Sequence, residues 1–499
     1  MAIILKREPL LSAKHSAFPY QREAVESIRD LEYSAIFHEQ GLGKSKIALD
    51  LILYWLTNKT VDTVLLVAKK GLVDNWKREF AAHSHIRPLV LGSDHARNFY
   101  VFNTGTRVLL THYEAIKTEF KRLKLYLATR RVAIILDEAT KIKNPDSALS
   151  QCFFSLSPSF VRRVIMTGTP VANRPFDIWG PIFFLDQGRS LGTDFELFRK
   201  SLDISNDLAD DLCRRNEFEL GVADIFHRIA RFSVRETKRS GIIELPSKIY
   251  QSIMTDWEPR QLDLYNQYRD SLSAVIKVDG TLKNDEAEAI LKRMLRLVQI
   301  ASNPKLVDEA YSGEPGKFPP LYDLVTDICR EGEKCIVWTL FTENADWLAD
   351  RLRGFGTCKI HGKLSMEQRN RAVTLFLQDP ECRVLVATPG AAKEGLTLTV
   401  ANHVIFYDRG FSLDDYLQAQ DRIHRVSQTR QCYVYNFLLS DSIDEWVDSL
   451  LRAKELAAHL AQGDITLEEY RSQADYSFSD IIRGILSPAA SIQGGNQNA

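Results

Sequence analysis

Residues 33–45 read YSAIFHEQGLGKS, a short apolar run that breaks into a polar, glycine-containing cluster. The run has the make-up of a strand. The KIALDLILYWL that follows (46–56) has the apolar spacing of a buried helix. A strand, a glycine turn and a helix in succession place Gly41, Gly43, Lys44 and Ser45 where backbone N–H groups and a helix N-terminus can cradle phosphate oxygens. In such a loop Lys44 neutralises the β/γ-phosphates and Ser45 ligates Mg²⁺. His38 stands where the first glycine of G-x-x-x-x-G-K-[ST] belongs. The plain alternative is a glycine turn before a helix.

The same arrangement recurs along the chain. DTVLLVA (62–68) runs into KKGLVDNW, RVLL (107–110) into THYE, VAIIL (132–136) into DEATK, and VRRVIM (161–166) into TGTP. Further on, KCIVW (334–338) runs into TLFTE, CRVLVA (382–387) into TPGAAKEG, and HVIFY (403–407) into DRGFS. Continuous apolar runs of this length fit strands buried on both faces, as in a parallel sheet. Helical patterns such as MEQRNRAVTLFL (366–377) lie between them. The alternation predicts an α/β fold of doubly wound parallel sheets, with ligands at the carboxyl ends of the strands. The strand-rich segments form two groups, 33–170 and 334–440, with a helical and charged stretch at 175–330. They predict two lobes with helical insertions, over 1–240 and 241–455, hinged near RETKRSGIIELPSK (235–248). Residues 456–499 are expected to form a helix and a disordered tail ending in SIQGGNQNA.

Composition agrees with a globular chain of more than one domain: 499 residues, 45% hydrophobic and 26% charged. Lys plus Arg is 64 against 65 Asp plus Glu, so any grip on nucleic acid must come from a local basic surface. Seven scattered Cys form no C-x-x-C pair, which fits a reducing compartment and no structural zinc. MAIILKREPLL is too short an apolar run for a signal peptide, and no stretch suits a membrane span.

Two further clusters carry chemistry. Asp137 and Glu138 end the VAIIL run about ninety residues after the phosphate loop. Where the chain turns at a strand end, both carboxylates can reach one site: Asp137 to hold Mg²⁺, Glu138 to orient and deprotonate water. YLQAQDRIHRVSQT (416–429) carries Arg422 and Arg425, expected on one helix face and suited to act as arginine fingers from the second lobe. Isolated, either cluster is also an ordinary solvated turn or surface helix, and His424 fits packing better than catalysis.

Together these pieces resemble the superfamily-two helicase-like ATPases, and within them the Swi/Snf branch, over roughly residues 15–450. FPYQREAV (18–25) resembles the Q-motif, which implies that Gln21 reads adenine. HEQGLGKS is similar to D-E-M-G-L-G-K-T, DEAT to D-E-A-H, and QAQDRIHRVSQT to Q-A-x-x-R-x-H-R-x-G-Q, which carries over Gln418, Arg422 and Arg425. LVAKKGLVDNWKREF and LTHYE resemble motifs Ia and Ib, and IHGKLSMEQR resembles the second-lobe H/D-G-x-x-S segment. TGTP resembles motif III, implying that Thr167, Gly168 and Thr169 couple nucleotide state to DNA grip. RFSVRETKRSGIIELPSK and LRLVQIASNPKLV resemble segments that DEAD-box RNA helicases lack. The A-A-x-x-G-L-T of TPGAAKEGLTLT, with Gly395 on the nucleotide side, resembles the distant annealing-helicase group that remodels forks and branched DNA.

The resemblance implies two RecA-like lobes, ATP and Mg²⁺ in the cleft, and double-stranded or branched DNA bound across both lobes without reading sequence. The matching DNA positions are Lys69, Lys70, Thr111, His112, Thr339, Gly362, Lys363 and Thr388. The basic stretch KTEFKRLKLYLATRR (117–131) is a further candidate contact. The expected activity is that of a DNA-dependent ATPase, a monomeric duplex translocase that remodels forks. It would work in the cytoplasm of a bacterium or of a virus-infected cell, or in the nucleus of a eukaryote. A strand-separating helicase and a chromatin- or protein-displacing translocase are the alternatives.

Overall fold

The computed structural model describes residues 5, 8–171, 173–203, 208, 211–241, 245–278, 294–392, 397–425 and 427–476. They build two parallel sheets. The first contains β1 (Tyr33–Ile36), β2 (Thr63–Ala68), β3 (Leu89–Val90), β4 (Val108–His112), β5 (Val132–Asp137), β6 (Arg162–Met166) and β7 (Ser233–Val234), in the order β3-β4-β2-β5-β6-β1-β7. The second contains β8 (Lys248–Thr255), β9 (Cys335–Trp338), β10 (Thr357–Ile360), β11 (Val384–Ala387), β12 (His403–Phe406) and β13 (Cys432–Leu439), in the order β10-β11-β9-β12-β13-β8.

All eight runs read above as strands are strands. Central strands such as β2 are buried at every position, because helices cover both faces of each sheet. Helix Lys44–Thr57 puts Ile47, Leu51, Ile52 and Trp55 into one face of the first sheet, while Phe153, Phe184 and Phe218 fill the other. Strands β3, β7, β8, β10 and β13 are further members that the run-and-cluster pattern misses. β10 carries Lys359 within a four-residue strand, and β8 is an edge strand exposed at most positions.

Register explains why the polar clusters converge. In the first sheet Ile36, Met166 and Asp137 lie in one row. The residues just beyond that row begin the phosphate loop, the TGTP turn and the acidic pair. In the second sheet Ile360, Ala387, Trp338 and Phe406 form the equivalent row. It sets His361, Thr388, Thr339 and Tyr407 side by side at one edge.

The chain does not stay in the second lobe. One helix, Ile443–Ala461, runs straight through the expected boundary at 455 and returns to the first lobe. Ala457, Ala458, Leu460, Ala461 and Tyr470 are buried in the first lobe's core. Polar ties accompany them: Arg235 Nε donates to Asp464 (2.6 Å), and Arg471 pairs with Glu219 at 2.7 Å. Arg471 is half-exposed, and such pairs contribute little, so the apolar burial at ~25 cal/mol per Å² is the larger part of this strap. Among the described residues no helix is long and apolar enough to cross a membrane. The expected C-terminal tail, SIQGGNQNA, lies outside the described residues, as does part of the expected hinge (242–244).

Gly463 ends the strap helix with φ +72°, and a Cβ there would lie 2.7 Å from the Phe226 ring. Gly463→Ala is therefore expected to destabilise the chain by about 1–3 kcal/mol through left-handed strain and overpacking. Urea unfolding measures this; an unchanged midpoint would mean that the strap seats loosely.

Candidate nucleotide site between the lobes

The phosphate loop follows β1. Gly43, with φ +72°, caps helix Lys44–Thr57, and a Cβ there would lie 2.3 Å from Gln21 Nε2. The left-handed φ favours glycine there, and a larger residue would also displace the Gln21 side chain. Lys44 Nζ donates to the carbonyls of His38 (2.9 Å) and Glu39 (3.3 Å) and lies 3.0 Å from the Cβ position of Gly168. Its amine is buried, which lowers its pKa against the pull of Glu138 and Asp137. Burial and Lys44 together push His38 down to about 4, so the residue in the first glycine's place is neutral. Gln21 is tied into the loop: its Oε1 accepts from Phe18 N (3.0 Å) and its Nε2 donates to Leu42 O (3.3 Å).

Glu138 has φ +54°, a left-handed conformation costly for a non-glycine residue. That turn breaks the strand's alternation and brings Asp137 and Glu138 together. Burial, then the charge of Glu138, raises the Asp137 pKa to about 6, against the Trp76 hydrogen bond and the charges of Lys44 and Lys69. Trp76 Nε1 donates to Asp137 Oδ2 at 2.8 Å, Tyr113 OH donates to the Asp137 carbonyl at 2.8 Å, and Gln40 Nε2 donates to Glu138 Oε1 at 3.2 Å. Trp76 and Gln40 each sit inside a quoted motif, yet nothing in their spacing marks them as partners of the acids.

The second lobe faces this loop. Helix Leu413–Gln420 ends before the arginines, so Arg422 and Arg425 lie on the turn beyond it rather than on a shared helix face. Asp421 stops the helix, and Arg425 Nε folds back onto its carbonyl at 3.3 Å. The turn carries Arg425 over the phosphate loop, with its Cγ 3.7 Å from the Cβ position of Gly41. Arg422 is buried; burial and the neighbouring Arg425 bring its pKa down to about 10, while Glu138 pulls it up. Thr169 Oγ1 donates across the cleft to Asp414 Oδ1 at 2.6 Å, and Gln418 Nε2 donates to that same oxygen at 2.8 Å. Thr167 Oγ1 accepts from Thr169 N at 3.2 Å and so holds the turn. Gly395 lies outside the described residues.

The donor set fits a Mg–nucleotide. Glu138 Oε2 is buried with no hydrogen-bond partner among the described residues, and Lys44 is held only by backbone carbonyls. No group of three or more His, Cys, Asp or Glu among the described residues forms a metal cage. Mg²⁺ commonly needs only one or two protein ligands because substrate phosphates supply others.

The expected DNA positions lie at the carboxyl edges of both sheets but differ in access. Lys70, Gly362 and Lys363 are exposed and Lys69 is half-buried; Lys363 Nζ pairs with Glu343 at 2.6 Å. Thr111 and Thr339 depart from the expectation. Their hydroxyls point inward, donating to Leu91 O (3.0 Å) and to the buried Asp408 (2.6 Å). Thr111 is the last residue but one of β4 and Thr339 follows β9, and a buried hydroxyl at either place must find a partner. His112 and Thr388 are also buried, and His112 Nδ1 lies 3.1 Å from Glu114. The basic stretch at 117–131 is not one helix: it breaks at the buried Glu119, between Tyr113–Thr118 and Phe120–Ala128.

Two parallel-sheet lobes arranged so that the arginines of one close on the phosphate loop of the other make the chain a helicase-like ATPase. It belongs to the SNF2-related family. The SNF2-related domain matches residues 20–306, and the helicase conserved C-terminal domain matches 316–427. The chain is 28% identical to the ISWI chromatin-remodeling complex ATPase ISW2 of Saccharomyces cerevisiae, over 82% of this chain and 37% of that protein. It is 26% identical to an uncharacterized ATP-dependent helicase of Mycoplasma pneumoniae, over 87% of this chain and 41% of that one. It is 24% identical to the DNA repair and recombination protein RAD54-like of Drosophila pseudoobscura, over 94% and 66%. The chain thus spans less than two thirds of these relatives. A solved Sulfolobus solfataricus SWI2/SNF2 ATPase core in complex with dsDNA aligns with a TM-score of 0.42 at 22% identity, over 94% of this chain and 98% of that one.

The raised Asp137 pKa has a stability consequence. An unfolded Asp titrates near 3.9, so the folded state binds this proton more tightly and pays for the charged form above about pH 6. Asp137→Asn is expected to be more stable than the parent at pH 8. The difference should shrink as pH falls through 6 toward 4. Thermal unfolding of the nucleotide-free proteins across that range checks it; a pH-independent difference would remove burial of the charge as the cause.

Proposed function

We propose that the chain is an ATP-driven motor that moves along duplex DNA without reading its sequence. The observation that carries this is the position of Arg425, an arginine of the second lobe, over Gly41 in the phosphate loop of the first. ATP would take Lys44 from its two backbone carbonyls, and Gln21 would meet the adenine beside the loop. Ser45 and Asp137 would hold Mg²⁺, which supplies charge neutralisation at the β/γ-phosphates. Glu138, oriented by Gln40, would accept a proton from the attacking water. Arg422 and Arg425 would stabilise the charge developing on the γ-phosphate.

The Thr169–Asp414 hydrogen bond bridges the lobes and would link ATP state to lobe geometry. Lys69, Lys70, Gly362 and Lys363 would meet the DNA backbone at the two sheet edges, and Thr388 and His112 would approach it from below. Alternate grip by the lobes would advance a monomer along one strand. The A-A-x-x-G-L-T pattern favours forked and branched DNA as the substrate, and the motor would work where such DNA is found, in a bacterial or virus-infected cytoplasm or in a eukaryotic nucleus.

The first test is steady-state ATPase with no DNA, single-stranded, linear duplex and four-way DNA, with Lys44→Ala as blank. Stimulation by duplex, strongest with branched DNA, is expected; no stimulation by any DNA would end the motor proposal. Arg425→Ala should lower the stimulated kcat by at least about 10²-fold. Full activity in that variant would remove the arginine from the reaction. Thr169→Ala should keep ATP binding and hydrolysis but lose triplex displacement, and unchanged displacement would count against coupling through Asp414.

A further inference from the structure

The arginine-bearing turn is attached to more than its own lobe. Asp421, between Gln420 and Arg422, is buried at the end of helix Leu413–Gln420. Two lysines meet one of its oxygens: Lys238 Nζ, from the segment joining the lobes, at 3.0 Å, and Lys248 Nζ, from the first residue of β8 where that segment enters the second sheet, at 2.8 Å from Oδ1. Lys238 Nζ also donates to His424 O at 3.0 Å, on the stretch between the arginines, and His424 Nε2 lies 2.8 Å from Pro246 O. The connecting segment therefore holds this turn at three points.

Its other end is fixed to the phosphate loop. β7 pairs with β1, Phe37 N donates to Val234 O (2.8 Å), and Glu39 N donates to Glu236 O (2.9 Å). Lys238 N donates to Glu39 Oε2 at 2.8 Å, and its Cε lies 3.7 Å from the Cβ position of Gly41. Lys238 thus touches the phosphate loop with its backbone and stem, and its ammonium lies between the arginine turn and Glu39, whose Oε1 is 3.7 Å away.

Charge, not packing, makes the hold. The clamp lines an inter-lobe cavity of about 530 Å³. Burial alone would raise the Asp421 pKa, but the two lysines outweigh it and keep the carboxylate ionised well below the usual range. Burial would likewise lower Lys248, and Asp421 reverses this and raises it. Removing Asp421 leaves two buried ammonium groups without their shared partner, whereas removing Lys238 leaves Asp421 paired with Lys248 and cuts only the tie to the phosphate loop.

We infer that Lys238 and Lys248 are positioning residues: through Asp421 they seat Arg422 and Arg425 on the phosphate loop, so the segment between the lobes sets where the arginines close. This rests on the reading that those arginines act on ATP. The test uses the full chain and measures kcat and KM for ATP with and without linear duplex, affinity for a fluorescent ATP analogue, and thermal unfolding. Lys238→Ala and Asp421→Asn should each lower kcat about tenfold or more while analogue affinity changes less than about threefold. Lys238→Arg should recover most of the rate, and the double variant should be no slower than the slower single.

Unchanged kcat in Lys238→Ala, parallel loss of analogue binding, or additive losses in the double variant would each overturn the inference. If Lys238→Ala does not fold, Lys238→Gln, which is one methylene shorter and keeps an N–H donor but not the charge, carries the same criteria. Arg425→Ala separates the two proposals. If it keeps full kcat, the arginine mechanism fails; if it loses kcat while Lys238→Ala does not, only the positioning role fails.

Discussion

A parallel sheet covered by helices on both faces has nowhere to put a charge except its ends. β2 is buried at every residue, and its neighbours β4 and β5 are buried up to their last residues. The phosphate loop and the acidic pair are therefore displaced to the carboxyl edge of the first sheet, where strands hand over to turns and the peptide groups are not consumed by the ladder. Because the pairing is in register, displacement becomes convergence. Ile36, Met166 and Asp137 share a row, so three segments far apart in the chain deliver their polar residues to one place. The second sheet repeats the arrangement.

That convergence carries an electrostatic cost, visible in the acids. Asp137 and Glu138 share one buried edge, and Asp137 is raised to about 6 as a result. The charge is tolerated because Trp76, Lys44 and Lys69 offset part of it. The left-handed backbone at Glu138 is a second cost at the same spot. Strain and unpaired polarity concentrated at one strand end are commonly found where a ligand supplies the missing partners. An anionic nucleotide with its cation would meet Lys44, Glu138 and the arginines together.

The cleft itself is held by three different kinds of contact. The strap from Ile443 onward docks by apolar burial. Thr169 meets Asp414 by a single short hydrogen bond. The connecting segment grips Asp421 by charge. Apolar burial is non-directional and suits a permanent anchor, whereas a hydrogen bond of 2.6 Å and a lysine–carboxylate clamp depend steeply on geometry. The lobes thus have a durable attachment and several that respond to small displacements beside the phosphates.

Strand positions, the phosphate loop and the acidic pair could be read from residues alone, because they depend on local patterns: an apolar run with no alternation, glycines before a lysine, carboxylates ending a run. The arginine pair was legible as chemistry but not as geometry, since the helix stops at Gln420 once Asp421 finds its two lysines. Thr111 and Thr339 looked like phosphate contacts and turn inward instead, because the ends of central strands leave a hydroxyl only buried partners. β8, the strap's return to the first lobe and the clamp on Asp421 left no readable pattern. Each pairs residues separated by some 170 positions or more, and such pairings exist only after both sheets have formed and brought their edges together.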